Sequence, residues 1–124
     1  MIQRKASAYI HKENLINNLR QLRKIAGSSK ICAVIKADAY GHGAVMTSRI
    51  LAEAGVDFLA VAYLEEALEL REAGIQTPLL VLGTTDPGNA DIIVSNRISQ
   101  TIFTRELAAA LSESALRLGR AAFV

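Results

Sequence analysis

The chain is short of several things, and each shortage removes a class of function. It has a single cysteine, Cys32, so no intrachain disulfide can form. No CxxC pair and no Cys/His cluster is present, so nothing in the sequence points to a metal. Its 14 Lys and Arg are spread among 12 Asp and Glu, for a net charge of +2. Without a basic block, nucleic acid is not an expected partner. No apolar run approaches the roughly 20 residues that cross a bilayer, so no membrane partner is expected either. Residues 1–5 are polar and charged and lead into no long apolar stretch, which argues against a secretory leader. A cytoplasmic protein is the expectation. No glycine- or serine-rich linker divides the 124 residues, so one continuous unit is expected, large enough for a core.

What is present is a rhythm. Short apolar runs recur at Ile31 to Ile35, Phe58 to Ala62, Leu79 to Leu82, Ser99 to Phe103 and Ala121 to Val124. Each interval is about what one strand, one helix and two short loops consume. The segments between them read as helices. Leu15, Leu19, Leu22 and Ala26 recur at helical spacing before Gly27. Val45 to Ala54 ends at Gly55, and Leu64 to Ala73 ends at Gly74, with acids early and Arg71 late. Thr84 to Asn89 (TTDPGN) is a loop by composition, Ala90 to Ser95 a short helix, and Arg105 to Leu118 a final helix stopped by Gly119. About five parallel strands with intervening helices are predicted, an α/β arrangement. Rhythm alone leaves two architectures open: an incomplete (β/α)8 TIM-type barrel, or a complete doubly wound open sheet.

The chemistry concentrates in Ile31 to Gly43, ICAVIKADAYGHG. In an extended strand Cys32, Val34 and Lys36 share one face, with Ile31, Ala33 and Ile35 on the other. Both faces are apolar up to Lys36, which predicts a strand buried on both sides and makes Cys32 a small buried apolar residue. A lysine at the C-terminal end of such a strand stands where α/β folds place active sites. Shelter there favours the neutral amine that condenses with an aldehyde; the plainer alternative is a strand-end lysine reaching to solvent. Tyr40 follows in a turn bearing Gly41 and Gly43, and the turn enters a helix whose N-terminus suits an anion such as phosphate. His42 is left without an assigned role. Glu65, Glu66, Glu69 and Glu72, with Arg71 nearby, read as the solvated face of a helix, and Arg20, Arg23 and Lys24 as solvated too.

The stretch AVIKADAYGHG, residues 33 to 43, resembles the cofactor-lysine motif of the alanine racemases, and FLAVAYLEEALELREAGIQTPLLVLG, residues 58 to 83, resembles the next two βα units of that family. The resemblance covers most of the chain. It implies the barrel, with residues 1–124 as the N-terminal part of a pyridoxal-phosphate-binding domain and the rest of the barrel and a C-terminal β domain lying outside them. It implies pyridoxal 5'-phosphate as cofactor, held by Lys36 in a Schiff base, with Lys36 also one of two catalytic bases, the one on the D-alanine side. Tyr40 matches the tyrosine that hydrogen-bonds the cofactor phosphate. Val34 and Leu82 match apolar positions near the cofactor. Alanine is the implied substrate, racemised to supply D-alanine for peptidoglycan, and a homodimer the implied assembly. The second base, a tyrosine of a partner subunit, comes from later sequence, so these residues alone are not expected to racemise alanine. The rivals are a non-catalytic barrel that only carries the cofactor, a serine racemase domain and an inactive truncated product. Ala39 to Gly43 speaks for a racemase over a carrier.

Overall fold

A computed structural model describes residues 6–124; the reading of residues 1–5 lies outside it. The chain opens with helix α1 (Lys12–Ala26), which Gly27 ends at φ 58°. There follow β1 (Cys32–Val34), a short turn of helix α2 (Lys36–Tyr40), α3 (Ala44–Glu53), β2 (Phe58–Val61), α4 (Leu64–Glu72) and β3 (Leu79–Val81). A 3-10 turn at Pro87–Asn89 leads into α5 (Ala90–Ser95), then β4 (Ile98–Gln100) and α6 (Arg105–Leu118). The four strands are parallel and lie in sequential order, β1-β2-β3-β4.

That order separates the two architectures left open by rhythm. A doubly wound sheet reverses its strand order at a switch point, and none occurs among the described strands; a barrel adds each strand on the same side. Burial agrees. Ala33, Leu59, Leu79 and Ile98 form one row of the register, and Val61, Val81 and Gln100 the next along the same face. From β2 to β4 these residues are wholly buried, beneath a layer that includes Ala67, Leu70, Ile93, Leu107 and Leu111. Each large side chain so buried contributes about 1.5–3 kcal/mol. The opposite face is largely uncovered: Cys32 and Val34 are exposed, Leu80 and Ser99 half-buried, and only the small Ala60 is buried. The chain is an α/β unit with the winding of an incomplete barrel, its helices on the outside and its would-be interior open.

Several expectations need correction. The strand predicted to be buried on both sides is covered on one only, and Cys32, predicted buried, is exposed. An apolar barrel-interior face reads in sequence like a buried one, but only closure of the barrel buries it. The fifth strand shrinks to one parallel bridge, Ser99 to Phe123, with the Gln100 amide donating to the Phe123 carbonyl at 3.0 Å. The run from Ser99 to Phe103 yields a strand that stops at Gln100. On α1, Leu19 is buried but Leu22 stays 54% exposed, because this helix packs along the edge of the layer through α3 and covers little of the sheet.

Candidate active site

The lysine-bearing segment leaves the sheet abruptly. Ile35 has ψ 22°, which ends the extended conformation, and Ala37, Asp38, Ala39 and Tyr40 all take φ between 51° and 55°. Lys36 therefore begins a turn of left-handed helix built without glycine. Left-handed backbone costs an L-residue about 1–2 kcal/mol, so the surroundings must hold this turn in place. Gly41 (φ 86°) and Gly43 (φ 87°) return the chain to α3 at positions where glycine is at ease.

Four sets of hydrogen bonds oppose the strain. Ala39 N–H donates to the Ile35 carbonyl at 2.9 Å, closing the turn. Gly41 and Gly43 N–H both donate to the Asp38 carbonyl, at 3.1 and 2.9 Å. The Asp38 carboxylate accepts from Ala44 N–H at 2.7 Å, at the start of α3. The Glu66 carboxylate, reaching from the first turn of α4, accepts from Ala37 N–H at 2.7 Å. Glu66 also accepts from Ala62 N–H at 2.7 Å and Tyr63 N–H at 3.2 Å. It thus acts as the acidic half of a capping box while tying β1 to β2.

Lys36 is half-buried, and neither its amine nor the Tyr40 hydroxyl has a hydrogen-bond partner among the described residues. Val34 (42% exposed) and Leu82 (38%) lie on the open side of the sheet, near the ends of β1 and β3, and Tyr40 is 62% exposed. Gly83 lies so close to β2 that a Cβ there would come within 2.6 Å of the Ala62 carbonyl, so the β2–β3 edge closes only around a glycine. The strand ends thus bring Val34, Lys36 and Leu82 to one open ledge, with Tyr40 a turn away. None of them lines the best-formed cavities of the described residues. The best-formed cavity, about 290 Å³, is at the opposite end of the strands, among Phe58, Arg71, Pro78 and Phe123. His42 lines a shallow groove with Tyr9 and His11.

Four readings change here. The N-terminus of α3, expected to suit a phosphate, already holds the Asp38 carboxylate, because the dipole that attracts an anion also attracts the chain's own. Glu66 does not belong to a solvated face: both of its oxygens are engaged with backbone. The signal for it was its place, third in a helix that follows a strand end directly; a tyrosine before the helix, where a capping box has serine or threonine, hid it. Arg71 is no surface charge either. Its guanidinium donates to the carbonyls of Ile75, Thr77, Asn96 and Arg97 at 2.7–3.0 Å. Arg23, also expected to be solvated, pairs with Asp57 at 2.7 Å.

Comparison with known proteins places this geometry. The family model described as "Alanine racemase, N-terminal domain" matches residues 10–124. An alanine racemase of Clostridium perfringens is 44% identical over 117 residues, which is 94% of this chain and 30% of that protein. One from Desulfovibrio desulfuricans is 48% identical over 104 residues, 83% of this chain and 28% of that protein. Among solved structures, an alanine racemase of Clostridium difficile 630 superposes with a TM-score of 0.84 at 42% identity, over 89% of this chain and 30% of its own. A histidine racemase from Leuconostoc mesenteroides gives a TM-score of 0.80 at 31% identity, over 90% of this chain and 30% of its own. The chain spans about 30% of the length of such relatives.

Proposed function

The chain belongs to the alanine racemase N-terminal domain family, and from that premise we propose that it forms the lysine-bearing part of a pyridoxal-phosphate-dependent amino-acid racemase acting on alanine. The observation that carries the reading is the Lys36 amine, without a partner among the described residues, at the C-terminal edge of a parallel sheet and at the start of a left-handed turn that five hydrogen bonds hold.

The residues present fit the cofactor in two of its three parts. An unpaired amine suits the aldehyde, and the apolar Val34 and Leu82 suit one side of an aromatic ring. The phosphate is left with the Tyr40 hydroxyl, since Asp38 occupies the start of α3. Further phosphate contacts are assigned to residues outside this chain.

Pyridoxal phosphate, when bound, supplies an electron sink that makes the substrate's α-proton acidic. Lys36 would hold the cofactor through its nitrogen, and the same amine, when free, would accept the substrate's α-proton on its side and return one there. Tyr40 would donate its hydroxyl proton as a hydrogen bond to the cofactor's phosphate. Val34 and Leu82 would keep water from the bound cofactor. Inversion also calls for a second acid–base group on the opposite face, which the family resemblance assigns to a tyrosine of a partner subunit; the working assembly is a homodimer. Alanine as the substrate is supported by the relatives at 44% and 48% identity that are named alanine racemase. A cytoplasmic location accords with the absence, among the described residues, of any helix long and apolar enough to cross a membrane. D-alanine for peptidoglycan is the proposed product.

The test is isotopic. The longest polypeptide carrying these residues, loaded with pyridoxal phosphate, is incubated with L-alanine in heavy water, and the enantiomers are separated. D-alanine with deuterium at Cα is expected, and none from Lys36→Ala. Deuterium entering another amino acid in preference to alanine would overturn the substrate, and racemisation surviving Lys36→Ala would overturn the base.

A further inference from the structure

We propose that Glu66 is the positioning residue for Lys36: one carboxylate clamps the first peptide of the left-handed turn to the end of β2 and the start of α4, and so sets the direction in which the amine leaves the sheet. The proposal rests on the reading of Lys36 as the cofactor-holding amine.

Three separate pieces of backbone meet at this side chain. Oε1 accepts from Ala37 N–H at 2.7 Å, one peptide beyond Lys36. Oε2 accepts from Ala62 N–H at 2.7 Å, just past the last residue of β2, and from Tyr63 N–H at 3.2 Å, at the cap of α4. Each is an amide that regular structure leaves over: the ladder between β1 and β2 has run out, α4 has not begun its own bonds, and Ala37 has turned left-handed. A carboxylate suits this point because it only accepts. Glutamine has the same shape but offers one accepting oxygen and an NH2 group, which would face N–H donors on one side of the clamp. Asp38 holds the far end of the same turn through Ala44 N–H at 2.7 Å. The lysine's peptide is therefore gripped from the neighbouring strand, and the remainder of the turn from the helix that follows.

The chemistry explains why direction matters. Condensation of an amine with an aldehyde needs the nitrogen lone pair aimed at the carbonyl carbon, and water leaves as the C=N bond forms. An amine carried on a backbone free to rock out of the left-handed region spends less time in that geometry. Glu66 touches neither amine nor cofactor in this scheme; it acts through the peptide of Ala37.

The experiment compares the full chain with Glu66→Gln, Glu66→Asp and, as a control that loosens the fold at the far end of the strands, Arg71→Met. Each is exposed to limiting pyridoxal phosphate, reduced with borohydride, which delivers hydride to the C=N carbon, and mapped for label at Lys36 relative to Lys30 of the same molecule. Amide hydrogen exchange is followed at Ala37 and Ala62. In Glu66→Gln the Lys36-to-Lys30 ratio is expected to fall about tenfold and the Ala37 amide to exchange about tenfold faster, with β3 and β4 amides unchanged. Glu66→Asp is expected to lie between and keeps the test decisive if the glutamine variant does not fold. Arg71→Met is expected to lower overall stability and leave the ratio alone. An unchanged ratio in both Glu66 variants, or a ratio that falls equally in Arg71→Met, overturns the positioning role. An unchanged Ala37 amide overturns the clamp itself. Absence of label at Lys36 in the parent chain overturns the cofactor reading instead, and the Ala37 amide still decides whether the clamp exists.

Discussion

The two ends of α4 do the same job with opposite charges. At its N-terminal end, Glu66 gathers three N–H groups where the strands finish; at its C-terminal end, Arg71 gathers four carbonyls where the strands begin. Parallel strands make this division natural. Every strand of the sheet runs the same way, so the loops that follow the strands lie at one end and the loops that precede them at the other. The helix dipole adds to it, favouring an anion at the start of α4 and a cation at its end. The difference lies in what stands beside each clamp. Next to Glu66 are a four-residue left-handed turn and an amine with no partner among the described residues; next to Arg71 are short loops, in which Arg97 alone is left-handed at φ 53°. The Arg71 end, where the strands begin, is further stapled by Asp57, whose carboxylate takes Ile31 N–H and the Arg23 guanidinium, both at 2.7 Å. One end of the sheet is tied down by charged side chains; the other carries the amine proposed to hold the cofactor.

The sharpest break between the two ends should come from removing the amine. Lys36→Ala is expected to abolish cofactor labelling at this site completely and to leave the thermal midpoint within a few degrees of the parent, since a half-exposed strand-end side chain contributes little to packing. Arg71→Met should do the reverse. It leaves the carbonyls of Ile75, Thr77, Asn96 and Arg97 without their donor, and denaturant unfolding is expected to report a loss of about 2–4 kcal/mol with labelling at Lys36 intact. A smaller effect is expected from Gly41→Ala. A Cβ there meets nothing within 4 Å, so the cost is the backbone's alone at φ 86°, about 1 kcal/mol by the same unfolding measurement.

The mildest probe is pH. The Ile31 N–H, then the Arg23 guanidinium, hold the Asp57 carboxyl below its ordinary value, and Ser114, then Arg117, do the same for Asp91. A carboxyl depressed on folding contributes stability above its unfolded pKa and loses it as pH falls through the folded one. The unfolding midpoint is therefore expected to hold steady near neutrality and to decline below about pH 4, more gently in Asp57→Asn.

The sequence made the alternation, the helices and the lysine legible because each rests on local regularities: period, glycine stops and a short motif. The openness of the sheet was not legible. Cys32 and Val34 look like core because the face they occupy is apolar, and nothing local says whether anything covers it. The left-handed turn was hidden as well, since two alanines and a tyrosine carry no mark of positive φ; only Asp38, Gly41 and Gly43 hinted at unusual backbone. Glu66 and Arg71 were hidden for a third reason. Their partners are backbone groups 25 or more residues away in some cases, and a charged residue on an amphipathic helix looks the same in sequence whether it faces water or a strand end.

The most direct measurement gives the chain less pyridoxal phosphate than protein, reduces it, and finds which lysine carries the label. Lys36 is expected to carry nearly all of it, ahead of Lys12, Lys24 and Lys30. Label shared evenly among those four side chains, from a folded sample, would contradict the claim that this end of the sheet is built around one amine.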